Sequence, residues 1–406
     1  MSKKEVLVRE TKRAALSLMH NVSSKAEGAR VKGLLENYDP KNIINIKPEK
    51  IKTVTFIITR MVRFHGGQTS ILHLGTELEK LGVKVSYLSY KPQSVEEMEI
   101  CAKANLADFQ GRLYSLNRYM AAIKAGKISE PDVVVASSWD TVSFAKRFEK
   151  SYKMYFVQDY EPLFYKFGEE YLMCRSTYTQ GLHMVSLGAW NADMIHRECD
   201  GLQAADGKLK LDIVDFPYDS AGYTHKERDY GKYADKDELT IAVYLKYYGK
   251  RLPNLIPWML MNTAKKLEKK GISLNVLYFG EAKTFNVPGG KNLGQLNKAE
   301  MNEIYAKADF GMVASMSNIS LVPYEMHAAG LPVIEFADGT YPYFFGTDSA
   351  LLTKIGDNDI AKLLYDAINN PEKLDKMDKL AAKKLEGLGW ANTGRQFLEI
   401  MQAVTF

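Results

Sequence analysis

Short apolar segments alternate with helical patterns along this chain of 406 residues, and they do so in two separate series. The segments are rich in β-branched residues and apolar on both faces, which is typical of strands buried inside a parallel sheet. The first series comprises Thr53–Thr59, Val83–Tyr90, Asp132–Ala136, Met154–Val157 and His183–Leu187; the second comprises Leu239–Leu245, Leu274–Phe279, Leu293–Leu296, Phe310–Ala314 and Pro332–Ile334. Strands that alternate with helices form doubly wound α/β domains, so the pattern predicts two of them.

A polar segment divides the two series. Residues 217–238 are charged and poor in apolar side chains, which is typical of an interdomain linker. Asp235 and Asp237 within it have the DxD spacing of metal-dependent transferases, but no apolar strand precedes them, so we interpret them as linker charge. The predicted organisation is a basic helical extension over residues 1–50, a first domain over 51–216, the linker, a second domain over 239–388, and a C-terminal helix over 389–406 that packs back on the first domain.

The net charge of +5 lies entirely in the leading segment. Residues 1–50 hold 11 Lys and Arg against 6 Asp and Glu, and the rest of the chain is balanced. The segment has the pattern of a basic amphipathic helix, which favours either peripheral contact with an anionic membrane face or a solvated helix that caps the first domain. It lacks the interleaved aromatic residues that nucleic-acid binding requires, so no nucleic-acid partner is expected.

The remaining composition predicts a cytoplasmic protein. Three cysteines show no CxxC spacing, which disfavours a disulfide framework and fits a reducing compartment. No signal peptide opens the sequence, and no apolar run approaches the ~20 residues of a membrane span. Seven histidines show no metal-binding spacing, so neither a metal nor another cofactor is expected.

In the first domain, polar and aromatic residues follow successive strands. Such residues form cleft walls that bind sugar rings, so we predict acceptor-binding roles for Trp139, Asp140, Tyr160 and Trp190. Asp159 and Glu161 lie in the same region. A lone aspartate there also suits a helix N-cap, and the spacing of the two carboxylates makes a paired acid–base site conceivable without showing it.

Glycine and basic residues mark the predicted phosphate site. Gly66 and Gly67 connect a strand to a helix, and such a turn lets backbone N–H groups approach a phosphate, although the sequence is not the dinucleotide-binding GxGxxG. In the second domain, Arg251 follows one strand, and Gly280 and Lys283 follow the next. Two cations at neighbouring strand ends suit a diphosphate.

The stretch from Phe310 to Ile334 reads as strand, polar loop, short helix and strand. Its loop offers Ser317, Asn318 and Ser320, and we expect Glu325 in the first turn of the helix. A carboxylate there either complements the helix dipole or accepts hydrogen bonds from sugar hydroxyls.

Two motifs carry a resemblance to a known family. The run Glu325-Met-His-Ala-Ala-Gly-Leu-Pro-Val-Ile resembles glycosyltransferase family 4, whose members have the GT-B fold. The stretches Gln158-Asp-Tyr-Glu-Pro and Ser186-Leu-Gly-Ala-Trp resemble the bacterial S-layer glycan rhamnosyltransferase WsaF and its relatives. The likeness runs from about residue 51 to the C-terminus.

The resemblance implies two Rossmann-like domains that face a cleft, and retaining transfer of a nucleotide-activated sugar to a growing cell-surface glycan or lipid-linked glycan. By resemblance, the donor is dTDP-β-L-rhamnose. Arg251 and Lys283 would hold its diphosphate, Glu325 would contact its ribose, and Gly66 and Gly67 would face the phosphate from the other domain.

The resemblance also leaves roles open. Asp159 or Glu161 would orient the acceptor hydroxyl. Ser317 stands where the wider family has a glutamate that touches the transferred sugar, which leaves the sugar contacts unassigned. A sugar-nucleotide epimerase of the same fold and a non-catalytic scaffold in a glycan-assembly complex remain the alternatives.

Overall fold

A computed structural model of the chain describes residues 22, 24–202, 208–219, 222–247, 249–355 and 359–405. The basic amphipathic helix predicted near the N-terminus falls on residues outside these ranges. The first helix described, α1, covers residues 24–37. Among the helices that the structure describes, none combines the length and the apolar character that crossing a bilayer requires.

The first half of the chain forms a seven-stranded parallel sheet with the strand order β3-β2-β1-β4-β5-β6-β7. Its strands are β1 Thr53–Ile58, β2 Lys84–Ser89, β3 Arg112–Ser115, β4 Val133–Ala136, β5 Tyr152–Val157, β6 His183–Leu187 and β7 Leu211–Val214. The helices are α2 Gly66–Lys80, α3 Val95–Asn105, α4 Leu116–Lys124, α5 Trp139–Ala145, α6 Glu169–Ser176 and α7 Ala189–Cys199, with 3-10 turns at Glu161–Phe164 and Thr177–Thr179.

The second half forms a six-stranded parallel sheet with the order β10-β9-β8-β11-β12-β13. Its strands are β8 Glu238–Tyr244, β9 Ser273–Phe279, β10 Lys291–Asn292, β11 Phe310–Met312, β12 Val333–Phe336 and β13 Leu351–Thr353. The helices are α8 Leu255–Glu268, α9 Lys298–Lys307, α10 Leu321–Ala328, α11 Tyr341–Phe345, α12 Ile360–Ile368, α13 Pro371–Leu385 and α14 Trp390–Ala403, with 3-10 turns at Tyr230–Asp235 and Gly249–Arg251.

Burial explains which strands the sequence reveals. Every residue of the central strands β4 and β5 is buried, because helices cover both faces of a parallel sheet. The edge strands β3 and β7 are partly exposed and carry mixed sequences. The apolar pattern therefore indicated the central strands and missed β3, β7 and the short β13, and it placed β10 two residues too late.

The last helix crosses back to the first half of the chain. The ring of Trp390 in α14 stacks on His73 in α2 at 4.9 Å between centroids, and Phe397 meets Phe156 of β5 edge-on at 5.8 Å. Gly394 allows the close approach, because a Cβ at that position would lie 2.5 Å from Glu77 Cβ. Helix α14 thus follows the second sheet in sequence and packs on the first.

The segment between β7 and β8 is anchored to the second domain. Tyr223, Tyr230 and Tyr233 are buried although their neighbours are charged. Arg228 donates hydrogen bonds to the backbone oxygens of Gly330 at 2.5 Å, Ala308 at 2.6 Å and Tyr305 at 2.6 Å. The segment predicted as a linker is therefore a packed strap.

We expect Arg228→Met to lower the free energy of unfolding by about 3 kcal/mol, because three carbonyls lose a charged donor. Lys226→Met is the matched control: its exposed ammonium donates to a single carbonyl, Ala306 O at 2.6 Å, and should cost less than about 1 kcal/mol. Chemical denaturation of both variants measures the difference. Equal losses would contradict the anchoring role of Arg228.

Candidate active site

The carboxyl ends of the two sheets meet at one place. The side-chain amide of Asn318, in the loop between β11 and α10, donates to the backbone oxygens of Gln158 at 2.8 Å and Leu187 at 3.0 Å. Those two residues follow β5 and end β6, respectively. Ligands of doubly wound sheets bind at the carboxyl ends of the strands, so this meeting point is the candidate site.

Asp159 lies at its centre, and its carboxylate faces the second domain. The carboxylate accepts hydrogen bonds from Lys250 Nζ at 2.5 Å, Ser317 Oγ at 2.9 Å and the Asn318 backbone N–H at 3.1 Å. The side chain is buried. The N-cap interpretation of Asp159 is wrong, because the residue before the nearby 3-10 turn is Tyr160 and the partners of Asp159 belong to the other domain.

Glu161 points into the first domain. Its carboxylate accepts hydrogen bonds from the Trp139 backbone N–H at 3.1 Å and from Tyr155 OH at 2.7 Å. Burial raises the pKa of Glu161 to about 8, and these two hydrogen bonds only partly offset that rise. Asp159 and Glu161 therefore face different partners: one contacts the second domain, and the other supports the first.

Two of the residues predicted to bind an acceptor sugar, Trp139 and Tyr160, lie behind the surface of the cleft rather than on it. Tyr160 is fully buried and stacks on Tyr178 at 5.6 Å. Trp139 is buried and donates its indole N–H to Tyr165 OH at 2.9 Å. Packing against the aromatic core turns both rings away from solvent, so the prediction that they face the cleft is corrected.

Two further predicted residues have partners in the first domain. Asp140 accepts hydrogen bonds from Tyr90 OH at 2.6 Å and Thr59 Oγ1 at 3.0 Å, and Trp190 is half-buried beside the first-domain core. The exposed apolar side chains after β5 include Leu163, Phe164 and Phe167. Sequence reasoning did not select them, because exposed and buried aromatic residues look alike in a sequence.

Basic residues gather after β8. Arg251 is buried and donates from Nη1 to Ala314 O at 2.8 Å, directly before the polar loop. Lys250 lies with Nζ 4.4 Å from the ring centroid of Phe164, and burial lowers its pKa. Desolvation lowers the pKa of the His65 imidazole, and the nearby positive charges of Lys246 and Lys250 lower it further. Lys246 and Lys250 follow the same strand as Arg251 and belong to the same basic group in the sequence, but only Arg251 of this group was predicted to bind the donor.

Lys283 differs from Arg251 in its surroundings. It follows β9, the strand beside β8, but its side chain is exposed. The two loops are joined by a hydrogen bond from the Tyr247 backbone N–H to Glu281 Oε2 at 3.1 Å. Gly280 has a positive φ of 107°, and a Cβ there would lie 2.6 Å from Cε2 of Tyr244, so this turn requires glycine.

The glycines after β1 begin helix α2, and residue 65 is the N-cap. Gly66 is exposed, and Gly67 approaches the loop after β5: a Cβ on Gly67 would lie 3.5 Å from Gln158 Oε1. The N-cap residue His65 is close enough to Lys246 and Lys250 to sense their charge, so the N-terminus of this 15-residue helix lies near the basic residues after β8. Such an end favours an anion.

A buried carboxylate braces the polar loop from the sheet side. Glu335 of β12 accepts hydrogen bonds from Ser315 Oγ at 2.6 Å and from the Ser315 N–H at 3.1 Å. Thr340 Oγ1 donates to Ser315 O at 3.1 Å and to Ser317 O at 2.5 Å. Burial raises the pKa of Glu335 to about 7. The loop is held rigidly on the side away from the cleft.

Two polar atoms of this loop are unsatisfied. Asn318 Oδ1 and Ser320 Oγ are buried, and neither has a hydrogen-bond partner among the residues the structure describes. Ser320 is the residue that precedes α10, yet its hydroxyl caps no N–H group of that helix. Buried polar groups are nearly always paired, so these two atoms indicate a place for hydroxyl or N–H groups of a ligand.

Glu325 occupies the second turn of α10, because the helix begins at Leu321; its predicted first-turn position is wrong. Its carboxylate accepts a hydrogen bond from Tyr223, and burial raises its pKa to about 7. The positive charge of Lys298 partly offsets that rise. Tyr223 comes from the strap between the domains and was not predicted as a site residue.

The described arrangement suits an anion beside a polyhydroxyl group. Cationic side chains and a helix N-terminus lie next to a loop with free hydrogen-bonding atoms. Within the ranges that the structure covers, no cluster of three or more His, Cys, Asp or Glu has the arrangement of a metal site.

Comparisons with known proteins agree with this geometry at the level of the fold. No protein-family model matches the chain. The O-antigen biosynthesis protein RfbC of Myxococcus xanthus is 21% identical over 351 residues, which cover 84% of this chain but only 26% of that protein.

Solved structures align along most of the chain. Sucrose-phosphate synthase of Thermosynechococcus elongatus covers 87% of this chain and 99% of its own, with 12% identity and a TM-score of 0.64. HepE of Anabaena in complex with UDP-glucose covers 86% and 99%, with 12% identity and a TM-score of 0.66. WaaG, a glycosyltransferase involved in lipopolysaccharide biosynthesis, covers 86% and 99%, with 12% identity and a TM-score of 0.57. The prediction of two facing Rossmann-like domains is confirmed, and the chain has the GT-B fold.

The raised pKa of Glu161 should make the free energy of unfolding depend on pH. Because its pKa is higher in the folded than in the unfolded state, the folded state binds the proton more tightly, and stability falls as pH rises from about 5 to about 8. Glu161→Gln removes this titration, so its stability relative to the native chain should rise by up to about 1.4 kcal/mol per pH unit over that window. Denaturation at both ends of the window measures the change. A constant difference between the two proteins would rule the titration out.

Proposed function

We propose that this protein transfers a sugar from a nucleotide-diphosphate donor to a growing cell-surface polysaccharide. The observation that carries the proposal is the braced loop before α10: it holds the unpaired Asn318 Oδ1 and Ser320 Oγ, and the buried cation Arg251 donates to Ala314 O, directly before the loop. Sugar hydroxyls would satisfy the loop atoms, and a diphosphate would pair with the cation. HepE has been solved with UDP-glucose, and RfbC is named an O-antigen biosynthesis protein, which supports this direction.

The departing nucleoside diphosphate needs its growing charge neutralised. In the proposed mechanism Arg251, Lys250 and Lys283 supply positive charge from the second domain, and the N–H groups at Gly66 and Gly67 supply it from the first. Fixed cations in a closed cleft act strongly, because little water screens them. We propose that they suffice without a metal ion.

Transfer with retention is the proposed stereochemistry. The acceptor would attack from the side on which the diphosphate leaves, and a phosphate oxygen would take the proton of the acceptor hydroxyl. Glu161 is buried behind the wall, so its proposed role is to hold Trp139 in place rather than to move a proton. The exposed Phe164 and Phe167 offer apolar faces for a glycan or lipid-linked acceptor at the cleft edge.

The proposed sugar is L-rhamnose. The main support is the resemblance of the Gln158-Asp-Tyr-Glu-Pro stretch to rhamnosyltransferases. A physical argument adds to it: the loop combines short polar groups with the partly buried Met316 and Leu321, while Ile319 packs into the core, and a 6-deoxy sugar presents both hydroxyls and a methyl group.

Arg251→Met should weaken the binding of a nucleoside diphosphate by about 10- to 100-fold, because a charged hydrogen bond is lost. Arg251→Lys should lie between this variant and the native protein, since it keeps the charge but not the planar fork. Calorimetry with dTDP measures the affinity. Lys291→Met, which changes an exposed lysine of β10, is the control and should bind normally. Unchanged affinity in Arg251→Met would reject the assignment.

Transfer should persist after metal is removed, because protein cations take the charge of the leaving group. The measurement is the initial rate of nucleotide release in EDTA, compared with the rate after adding back magnesium or manganese. Loss of the rate in EDTA, with recovery on adding either metal, would show that a divalent ion is required.

A donor panel tests the sugar and the reaction class together. We expect dTDP-β-L-rhamnose to be transferred to a rhamnan-type acceptor faster than dTDP-glucose or UDP-glucose. An apolar pocket rejects an added hydroxyl only modestly, so the preference should be about 100-fold or less. Preference for a UDP-hexose would overturn the choice of sugar. Conversion of the donor without any acceptor would favour an epimerase, and no turnover would favour a scaffold.

A further inference from the structure

We infer that Asp159 supplies, from the first domain, the carboxylate that completes the sugar-binding loop of the second domain. The inference rests on the proposed function and assigns a specificity-determining group within the same site. It starts from an unusual feature: a buried acidic side chain at the end of β5 takes all of its described hydrogen bonds from the opposite domain.

The hydrogen-bonding capacity of the carboxylate is not exhausted. A carboxylate offers about four acceptor positions, two on each oxygen. Oδ2 uses two of them, for Lys250 Nζ and Ser317 Oγ, and Oδ1 uses one, for the Asn318 N–H. One acceptor position on Oδ1 therefore remains for a group that enters the site.

The loop that binds Asp159 also carries two unsatisfied polar atoms. The backbone N–H of Asn318 binds Asp159, while the side-chain oxygen of Asn318 is buried without a partner among the described residues. Ser320 Oγ, two residues further, is in the same condition. Sugar hydroxyls both donate and accept, so a ring placed here would satisfy the orphan atoms and the free position on Asp159 together.

The loop itself has no acidic side chain. Residues 315–320 are Ser-Met-Ser-Asn-Ile-Ser, and the buried acid beneath them, Glu335, spends its oxygens on Ser315 and on the backbone of Phe336. Ser317 is only 1% exposed, and its hydroxyl donates directly to Asp159. Ser317 Oγ lies 2.9 Å from Asp159 Oδ2, a distance that a glutamate side chain at residue 317 could span. The carboxylate next to this second-domain loop thus comes from Asp159 of the first domain.

This placement ties sugar recognition to the contact between the domains. Lys250 pairs with Asp159, and Asn318 also bonds the backbone of Gln158, so the acid reaches the loop only when the domains touch. A donor bound to the second domain alone would lack this acceptor. Recognition of the sugar by Asp159 therefore requires that the two domains be in contact.

A relocation experiment tests the inference. We compare the native chain with Asp159→Ser, Ser317→Glu and the double variant, using the nucleotide sugar that the native protein binds best and the matching nucleoside diphosphate, which has no sugar. Asp159→Ser should lose about 10- to 100-fold in affinity for the nucleotide sugar and less than about threefold for the diphosphate. The double variant should recover most of the loss, because the carboxylate returns on the other chain segment.

Asp193→Ser is the matched control. Asp193 also accepts a hydrogen bond across the domain boundary, from Tyr343 OH at 2.5 Å, but it is exposed. This variant should leave the affinity for both ligands unchanged. Thermal unfolding checks that each variant is folded, and Asp159→Asn, which keeps the shape and loses the charge, replaces Asp159→Ser if the latter is not.

The outcomes are distinct. Equal losses for nucleotide sugar and diphosphate in Asp159→Ser, or a double variant as weak as the single one, would overturn the inference. If the native protein binds no nucleotide sugar, the proposed function fails, and the inference, which rests on it, is overturned as well. If binding is present but unaffected in Asp159→Ser, the inference alone fails.

Discussion

The hydrogen bonds between Glu335 and Ser315 fix the part of the molecule on which the candidate site depends. They hold the start of the β11–α10 loop to the neighbouring strand, with both carboxylate oxygens engaged and no exposure to water. A loop held in this way keeps its free polar atoms in one position, and ordered hydrogen-bonding groups bind a ligand with a small loss of entropy. The cation Arg251 is attached to the same place through Ala314 O.

The first domain reaches this loop through β5 and its C-terminal residues. Strand β5 is entirely buried, and the aromatic layer beside it holds Glu161, Trp139 and Tyr160 in fixed positions. The aromatic residues therefore support Asp159, which among the described first-domain acids predicted for the site is the one that hydrogen-bonds to the second domain. The apolar side chains exposed next to this layer follow the 3-10 turn and include Phe164 and Phe167.

Much of the fold was predictable, because central parallel strands have a strong apolar pattern and carboxyl ends of strands are where sites form. That reasoning selected Arg251, Asp159, Ser317 and Asn318, and the structure brings these residues together at the meeting point of the two sheets. It did not separate Arg251 from Lys283, since both follow strands and only the three-dimensional structure shows that one is buried and the other exposed.

Other features depend on contacts that no local pattern records. Glu335 lies inside an apolar strand and looks like an outward-facing residue, whereas the structure buries it completely. Tyr223 meets Glu325 from a segment about a hundred residues away, and its charged neighbours hid its burial. The edge strands β3 and β7 were not predicted, because their exposed faces lack the continuous apolar pattern by which the buried strands were recognised.

The return of α14 to the first domain has a mechanical consequence. The chain crosses between the domains twice, once through the strap before β8 and once between α13 and α14. Two domains that are connected at two separate points rotate most freely about the line through both connections. Arg228 anchors the strap to the second domain, and Trp390 anchors α14 to the first, so both connections are held in place. Two such connections would restrict any opening of the cleft mainly to rotation about the line that joins them.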